Sequence, residues 1–260
     1  MSAPVRWTGR LSGLAEDELR SLLSRGQADV GERELRAQVA SLLAEVRSRG
    51  DAALRDQARR FDRVSLDALE VPRAAIRAAL DRQPAALRRA MERSARNVSR
   101  VHSAFRPQPS RMEVEPGVVV ERRPDPLARV GVYAPGGRAA YPSSVLMGVI
   151  PARVAGVREV VLCSPPGPDG KPSDPVLAAA AVAEVDRVFA LGGAGAIAAL
   201  AYGTESVPAV DRIVGPGNAW VTAAKLDAFG DVGIDLPAGP SEVLGLAAAT
   251  AAAARAWRRP

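Results

Sequence analysis

From residue 130 onward, short apolar runs end in glycine or proline turns, and segments with helical spacing separate these runs. The runs are VGVYA (130–134), EVVLCSP (159–165), DRVFAL (186–191), DRIVG (211–215) and VGIDLP (232–237). Strands that alternate with helices at this spacing indicate a parallel, doubly wound sheet. Ligands of such sheets bind beyond the carboxyl ends of the strands, where these turns lie.

The first 129 residues follow a different pattern, in which apolar side chains recur at helical spacing. The run ELRAQVASLLAEVRS (34–48) is an example, and similar stripes continue to about residue 105. Residues 112–134 instead contain β-branched runs bounded by glycine and proline, which predict two or three strands. The regions that we predict are an N-terminal helical region with short strands (1–129), an α/β region that binds a nucleotide (130–246), and a divergent Ala/Arg-rich tail (247–260).

Charge is distributed unevenly along the chain. The first 129 residues hold 25 arginines against 18 acidic residues, whereas the rest hold 10 basic residues against 11 acidic ones. The arginines alternate with acidic residues on helical patterns, which favours a solvated, salt-bridged helix surface. The alternative is a nucleic-acid-binding protein, which would show salt-dependent retention on DNA. We expect no nucleic-acid partner.

The rarity of certain residue types excludes several kinds of site. The chain has one cysteine, Cys163, and one histidine, His102, so an internal disulfide and a Cys-rich zinc site are ruled out. We predict that His102 lies at the surface or boundary of a helix. Lys171 and Lys225 are the only lysines, which leaves few candidates for Schiff-base chemistry. Because no apolar run reaches membrane-spanning length and the N-terminus has no signal-peptide pattern, we expect a cytoplasmic protein without a membrane partner.

Two glycine/proline turns are the main candidates for a ligand site. The turn GPGN (215–218) opens a helical segment, and PAGPSE (237–242) follows the last apolar run. A helix that starts at a tight turn leaves backbone N–H groups free to bind an anion such as a phosphate. A third run, GGAG (192–195), resembles the dinucleotide fingerprint only loosely, and close helix–strand packing is the alternative interpretation.

Four side chains at strand ends and turns are candidate ligand contacts. Tyr133 ends a predicted strand, although an ordinary strand-end aromatic would look the same. Asn218 starts a predicted helix, and its alternative role is that of an N-cap. Ser241 and Glu242 have a similar capping alternative.

Three long stretches together resemble one known family. They are VGVYAPGGRAAYPSSVLMGVIPARVAGV, GGAGAIAALAYGTESVPAVDRIVGPGNAWVTAAK and GIDLPAGPSEVL, and they occur in the family's order. The chain is similar to histidinol dehydrogenase over about residues 1–246. The resemblance implies an α/β, aldehyde-dehydrogenase-like fold, with an incomplete Rossmann-type parallel sheet after an N-terminal helical region. It also implies a zinc-dependent homodimer that oxidises L-histidinol to L-histidine with NAD.

The resemblance assigns roles to individual residues. Tyr133 matches an NAD contact in the Val-Tyr-x-Pro-Gly-Gly motif, and Asn218 matches another in Gly-Pro-Gly-Asn. Ser241 matches a substrate contact in Ala-Gly-Pro-Ser-Glu. Gly195 occupies the place of a glutamine that contacts NAD in the family, so we expect about a tenfold loss of NAD affinity from one missing hydrogen bond.

Besides Gly195, the chain departs from the family pattern at the zinc ligands and at the acid/base pair. The Gln-Ala-Glu-His stretch and the later Glu-His pair do not occur in these 260 residues, so we assign no catalytic and no metal-binding residue. After Leu246 the sequence matches nothing that we associate with the family, as in a truncated or frameshifted product. We expect a chain that is inactive alone; the alternative is a non-catalytic nucleotide-binding or dimerisation module.

Overall fold

The computed structural model describes residues 13–23, 30–136 and 139–235, except for the side chains of 20–23 and 30–32. The turn that carries Ser241 and the predicted tail lie outside the described residues. The described part of residues 33–237 forms one compact unit, and the described residues before 33 belong to another. In the latter unit, helix α1 (Glu16–Leu23) begins with three acidic residues, which interact favourably with the positive end of the helix dipole.

Four helices and one π-helical turn make up the next part of the chain. They are α2 (Val30–Arg49), α3 (Asp51–Gln57), the π-helical turn (Ala58–Asp62), α4 (Arg73–Arg82) and α5 (Ala85–Ala104). The predicted stripe of α2 is buried, with Val39 and Val46 at 0% and 1% exposure. Helix α3 starts after Gly50, whose φ of 53° suits a residue without a Cβ.

The carboxylate of Asp51 fixes the start of α3 to a distant loop. It accepts hydrogen bonds from Thr204 Oγ1 at 2.6 Å and from Ser206 Oγ at 2.5 Å. Burial opposes ionisation of Asp51, but these hydrogen bonds and the Arg55 charge outweigh it and lower the pKa. The interaction between Asp51 and this loop holds the N-terminal helices against the rest of the unit.

A two-stranded antiparallel hairpin follows the helices. It consists of β1 (Ser110–Glu115) and β2 (Val118–Arg122). Two or three strands were predicted over 112–134, and these are the first two. Every residue of both strands is exposed, so the hairpin packs on neither face within the described residues.

The prediction of a parallel α/β sheet is confirmed. The strands are β3 (Arg129–Tyr133), β4 (Glu159–Ser164), β5 (Arg187–Ala190), β6 (Arg212–Val214) and β7 (Gly233–Ile234); the helices between them are α6 (Pro142–Ala155), α7 (Asp174–Val182), α8 (Gly193–Tyr202) and α9 (Ala219–Ala228). The strand order is β5-β4-β3-β6-β7, and all neighbouring strands are parallel. The chain therefore adds β4 and then β5 on one side of β3. It then crosses back to add β6 and then β7 on the other side of β3.

This reversal places two groups of helices on the two faces of the sheet. Right-handed crossovers put α6 and α7 on one face and α8 and α9 on the other. Helices α4 and α5 pack against α7 and α6, whereas α3 packs against α8. Strands β3, β4 and β5 are buried between these layers, with Val132, Leu162 and Phe189 at 0% exposure. No helix in the described residues is long and apolar enough to cross a bilayer.

The outer edge of β5 is covered by residues 69–71. The N–H of Val71 donates to the carbonyl of Val188 at 2.8 Å, and the N–H of Ala190 donates to the carbonyl of Leu69 at 2.8 Å. The Arg187 guanidinium also donates to both carboxylate oxygens of Glu70, at 3.0 and 2.6 Å. The N-terminal region thus supplies a short strand-like partner to the sheet.

Candidate nucleotide-binding cleft

A cleft with a volume of about 310 Å³ opens beside the starts of α8 and α9. Its lining combines two parts of the chain. The N-terminal helices supply Leu42, Leu54, Gln57, Ala58, Phe61 and Asp62; the α/β region supplies residues 191–195, Asn218 and Trp220. The order of the strands reverses between β3 and β6, and the loop after β6 carries Asn218 into the cleft. This is the position at which doubly wound sheets bind their ligands.

Tyr133 ends β3, as predicted, but its ring is only 3% exposed. Its hydroxyl oxygen accepts a hydrogen bond from the N–H of Gly193 at 3.2 Å. Burial raises the pKa of Tyr133 to about 12, although the Gly193 hydrogen bond opposes the shift. The hydroxyl is therefore protonated at neutral pH, and it holds the first turn of α8 beside the cleft.

Asn218 is the N-cap of α9. Its Oδ1 accepts a hydrogen bond from the N–H of Val221 at 3.2 Å, which confirms the capping interpretation. The residue is also exposed and lines the cleft. Among the described residues, none accepts a hydrogen bond from its Nδ2, so the same side chain can cap the helix and donate to a ligand.

The turn before Asn218 is held by a buried lysine. Lys225, 7% exposed, donates to the carbonyl of Gly215 and forms an ion pair with Asp235 at 2.5 Å. The second carboxylate oxygen of Asp235 accepts from the N–H of Gly215 at 2.8 Å. Gly215 has a φ of 119°, and a Cβ there would lie 2.1 Å from the carbonyl oxygen of Tyr133. The backbone of the turn is therefore fixed from both sides.

The glycines at the start of α8 have separate roles. A Cβ on Gly192 would lie 3.0 Å from Pro165, which confirms close packing at this position. Gly193 has a φ of 59° and open space around its Cα. A Cβ on Gly195 would lie 2.3 Å from Oε1 of Gln57. Because first-turn N–H groups have no acceptor within the helix, the start of α8 suits an anion.

Several lining residues carry no motif, and the sequence did not single them out. Phe61 and Trp220 provide aromatic surface, and Gln57 provides a carboxamide. Burial raises the pKa of Asp62 to about 6, and no described group forms a hydrogen bond or an ion pair with its carboxyl group. For Phe61 and Asp62, the nearest sequence signal would have been the FD pair that these two residues form at the end of the π-helical turn.

The described residues do not fit a zinc site. They contain no group of three His, Cys, Asp or Glu side chains close enough to share a metal ion. His102 is half-buried on α5, at a boundary as predicted. Cys163 is fully buried on β4, and burial raises the pKa of its thiol. Neither residue faces the cleft.

The fold and the cleft together define a doubly wound α/β domain of the kind that binds nucleotides at its switch point. Family comparison matches residues 25–256 to "Histidinol dehydrogenase". The chain belongs to the histidinol dehydrogenase family, whose members are NAD-dependent oxidoreductases of histidine biosynthesis. The match extends to residue 256, beyond Leu246, where the motif-based resemblance was predicted to end.

Individual relatives give the same assignment. The chain is 49% identical to a histidinol dehydrogenase of Methanosarcina mazei over 250 residues, which are 95% of this chain and 57% of the relative. It is 55% identical to that of Bordetella parapertussis over 208 residues, 79% of this chain and 47% of the relative. The crystal structure of the Elizabethkingia anophelis enzyme matches with a TM-score of 0.80 and 33% identity, over 88% of this chain and 52% of that one. The chain thus spans about half the length of these relatives.

Proposed function

We propose that this chain forms the NAD-binding part of a histidinol dehydrogenase, the enzyme that oxidises L-histidinol to L-histidine in two NAD-dependent steps. One observation carries the proposal: two helices, α8 and α9, begin at the same cleft beside the reversal point of the sheet. Gly193 N–H bonds to Tyr133 and Val221 N–H bonds to Asn218, and the other first-turn N–H groups of the two helices provide hydrogen-bond donors and partial positive charge for a pyrophosphate. NAD, when bound, accepts the hydride removed from the substrate.

The side chains of the cleft suit the rest of the cofactor. Asn218 offers Nδ2 as a donor while its Oδ1 remains on Val221. Phe61 and Trp220 offer faces on which a flat ring can stack. Tyr133 contributes by holding Gly193. We assign Ser241 to the contact with L-histidinol because it matches the family's substrate contact in Ala-Gly-Pro-Ser-Glu.

The donor role of Asn218 is testable with a replacement that keeps the cap. Serine caps helices about as well as asparagine but has no amide group. We expect Asn218→Ser to raise the Kd for NAD about tenfold, the value of one hydrogen bond, at nearly constant Tm. Isothermal titration calorimetry gives the Kd. An unchanged Kd would show that Asn218 serves the helix alone, and absence of NAD binding by the wild type would contradict the proposed function itself.

Oxidation chemistry requires groups that these 260 residues do not contain. The family's zinc-binding Gln-Ala-Glu-His stretch is absent from the sequence, and one histidine cannot supply a site that needs three or four ligands. We propose that a polypeptide of these residues binds NAD without zinc and does not oxidise L-histidinol alone. Elemental analysis after dialysis measures zinc, and NADH absorbance measures turnover; NADH formation from L-histidinol would contradict this proposal. NAD binding without turnover also fits the alternative of a non-catalytic nucleotide-binding module.

We further propose that the chain forms a homodimer through the β1–β2 hairpin. The hairpin exposes apolar side chains, among them Met112 at 66% and Val120 at 57%, which lie opposite each other. Exposed apolar surface of this kind marks interaction sites, and a free two-stranded hairpin is marginally stable in water. Sedimentation velocity should show a dimer that dissociates when both residues are changed to threonine. Val101→Thr, at an exposed position on α5, is the control, and a monomeric wild type would contradict the proposal.

A further inference from the structure

The carboxamide of Gln57 is a polar group of the cleft that the proposed function leaves without a role. Gln57 ends α3 and lines the cleft, yet its side chain is 8% exposed. A polar side chain that is more than nine-tenths buried normally has its hydrogen-bonding groups satisfied. Its contacts therefore show whether it serves packing alone.

One end of the carboxamide is anchored and the other is free. Nε2 donates to the carbonyl of Leu42 at 3.2 Å, which fixes the orientation of the group. Among the described residues, none donates to Oε1. This oxygen is not fully enclosed, because every fully enclosed side-chain nitrogen or oxygen of the described residues has a hydrogen-bond partner. Gln57 lines the cleft, so the free acceptor can be reached from there. The free acceptor also lies beside the first turn of α8, next to Gly195.

The absence of a side chain at residue 195 makes this arrangement possible. A Cβ on Gly195 would lie 2.3 Å from Oε1 of Gln57 and 3.4 Å from Cδ2 of Leu54. Any larger residue at 195 would displace the carboxamide and stretch or break its hydrogen bond to Leu42. Gln57 and Gly195, which belong to helices far apart in sequence, therefore form a sterically matched pair.

We propose that Gln57 is a ligand-binding residue of this cleft, whose Oε1 accepts a hydrogen bond from an N–H or O–H group of NAD, and that Gly195 provides the space it needs. The inference rests on the proposed function, because it names a contact within the same cleft. The donors that NAD offers are its ribose hydroxyls, its adenine amino group and its nicotinamide carboxamide. Gln57 thus supplies a polar contact from the helical side of the cleft.

A double-mutant cycle separates this role from simple packing. We expect Gln57→Ala to raise the Kd for NAD about tenfold, as the loss of one hydrogen bond predicts. Gly195→Ala should raise the Kd by a similar factor, because the new Cβ displaces the carboxamide. In the Gln57→Ala background, Gly195→Ala should have no further effect on the Kd, since nothing remains to be displaced.

Calorimetric titration of the full chain with NAD and with ADP-ribose completes the test, and thermal unfolding shows whether each variant folds. Loss of affinity for both ligands places the donor on the adenosine diphosphate ribose portion; loss for NAD alone places it on the nicotinamide. If Gln57→Ala lowers the Tm but leaves both affinities within twofold, Gln57 is a packing residue and the proposal is wrong while NAD binding stands. Additive effects of the two replacements would contradict the steric pairing. A wild type that binds neither ligand would overturn the proposed function and this inference together.

Discussion

The two walls of the cleft differ in how their residues are held in place and in how far their residues can be predicted from the sequence. The wall formed by the starts of α8 and α9 consists of glycine turns whose backbone is fixed by close contacts, such as that of Gly215 with Tyr133. The wall formed by α3 and the π-helical turn consists of side chains, such as Gln57 and Asp62, on a helical scaffold. The first wall depends on backbone geometry, whereas the second depends on side-chain chemistry. Substitutions should therefore act on stability at one wall and on binding or pH response at the other.

The largest effect is expected for Gly215→Ala. The new Cβ would lie 2.1 Å from a backbone oxygen, at a φ of 119° that L-residues rarely adopt. We expect a loss of about 4 kcal/mol in the free energy of unfolding, in the range of severe backbone strain and overpacking. Urea denaturation measures it. Gly193→Ala is the matched control, because its φ is 59° with open space around it, and about 1 kcal/mol is expected there. Equal losses would show that the contact with Tyr133 adds nothing to the strain of the backbone, and that this wall is not fixed by close contacts.

A smaller loss is expected for Lys225→Met, which removes the cation that holds the same turn. Breaking a buried ion pair costs roughly 3–5 kcal/mol, but Asp235 can regain solvent contact, so we expect about 2 kcal/mol. The side chain of Asp235 is 35% exposed, which is the reason for the discount. Chemical denaturation measures the loss, and Lys171→Met, at the exposed second lysine, is the control. A stable Lys225→Met protein would show that the turn does not need this clamp.

At the helical wall, Asp62→Asn should be stabilising in a pH-dependent manner. The folded pKa of Asp62 is raised from 3.8 to about 6, so the folded state binds the proton more tightly than the unfolded state does. The contribution of protonated Asp62 to the free energy of unfolding is therefore fully present below about pH 4 and is lost as the pH rises towards 6. A shift of about two units corresponds to about 3 kcal/mol, and solvent screening reduces this because Asp62 is only partly buried. The variant should therefore gain roughly 2 kcal/mol above pH 6 and nothing below pH 4.

The measurement for Asp62→Asn is the urea midpoint as a function of pH. Asp67→Asn, at an exposed position shortly after the π-helical turn, should differ from the wild type by less than about 0.5 kcal/mol at every pH. A pH-independent gain for Asp62→Asn would show that the carboxyl group of Asp62 is not strained by burial.

The smallest effect is expected when two substitutions remove the carboxamide side chain from residue 57 and introduce one at residue 195 on the opposite wall. In the Gln57→Ala background, Gly195→Gln has room for its side chain and should recover NAD affinity, by up to about tenfold. Gly195→Gln alone must first displace the buried carboxamide of Gln57, so the tenfold gain expected from the sequence should not appear. Calorimetry on the four proteins of this cycle measures both results. A gain in the single variant would contradict the steric pairing.

Much of the fold could be predicted because its signals are local. Runs of β-branched residues, glycine turns and helical stripes specified all five strands of the parallel sheet and the helices between them. The N-cap role of Asn218, given as the alternative to its contact with NAD, could be predicted because capping depends on adjacent residues. The role of Asp51 could not be predicted from adjacent residues, because Gly50 holds the N-cap position of α3 and the Asp51 side chain bonds to a loop far along the chain.

The helical wall could not be predicted because its residues acquire meaning only through tertiary packing. Gln57 looks like any polar residue at the end of a helix until Gly195 is placed against it. Asp62 looks like a surface acid until burial changes its pKa. Lys225 could be noticed as one of two lysines, but its partners Gly215 and Asp235 follow from the geometry of the turn.

The pairing of residues 69–71 with β5 has a practical consequence for shortened proteins. A fragment that begins at the first strand of the sheet would leave β5 with a row of unpaired backbone groups. Such an edge templates the addition of further strands from other molecules, which leads to aggregation. Expression of the α/β half by itself should therefore yield insoluble material, and retaining the segment around Glu70 is the simplest remedy.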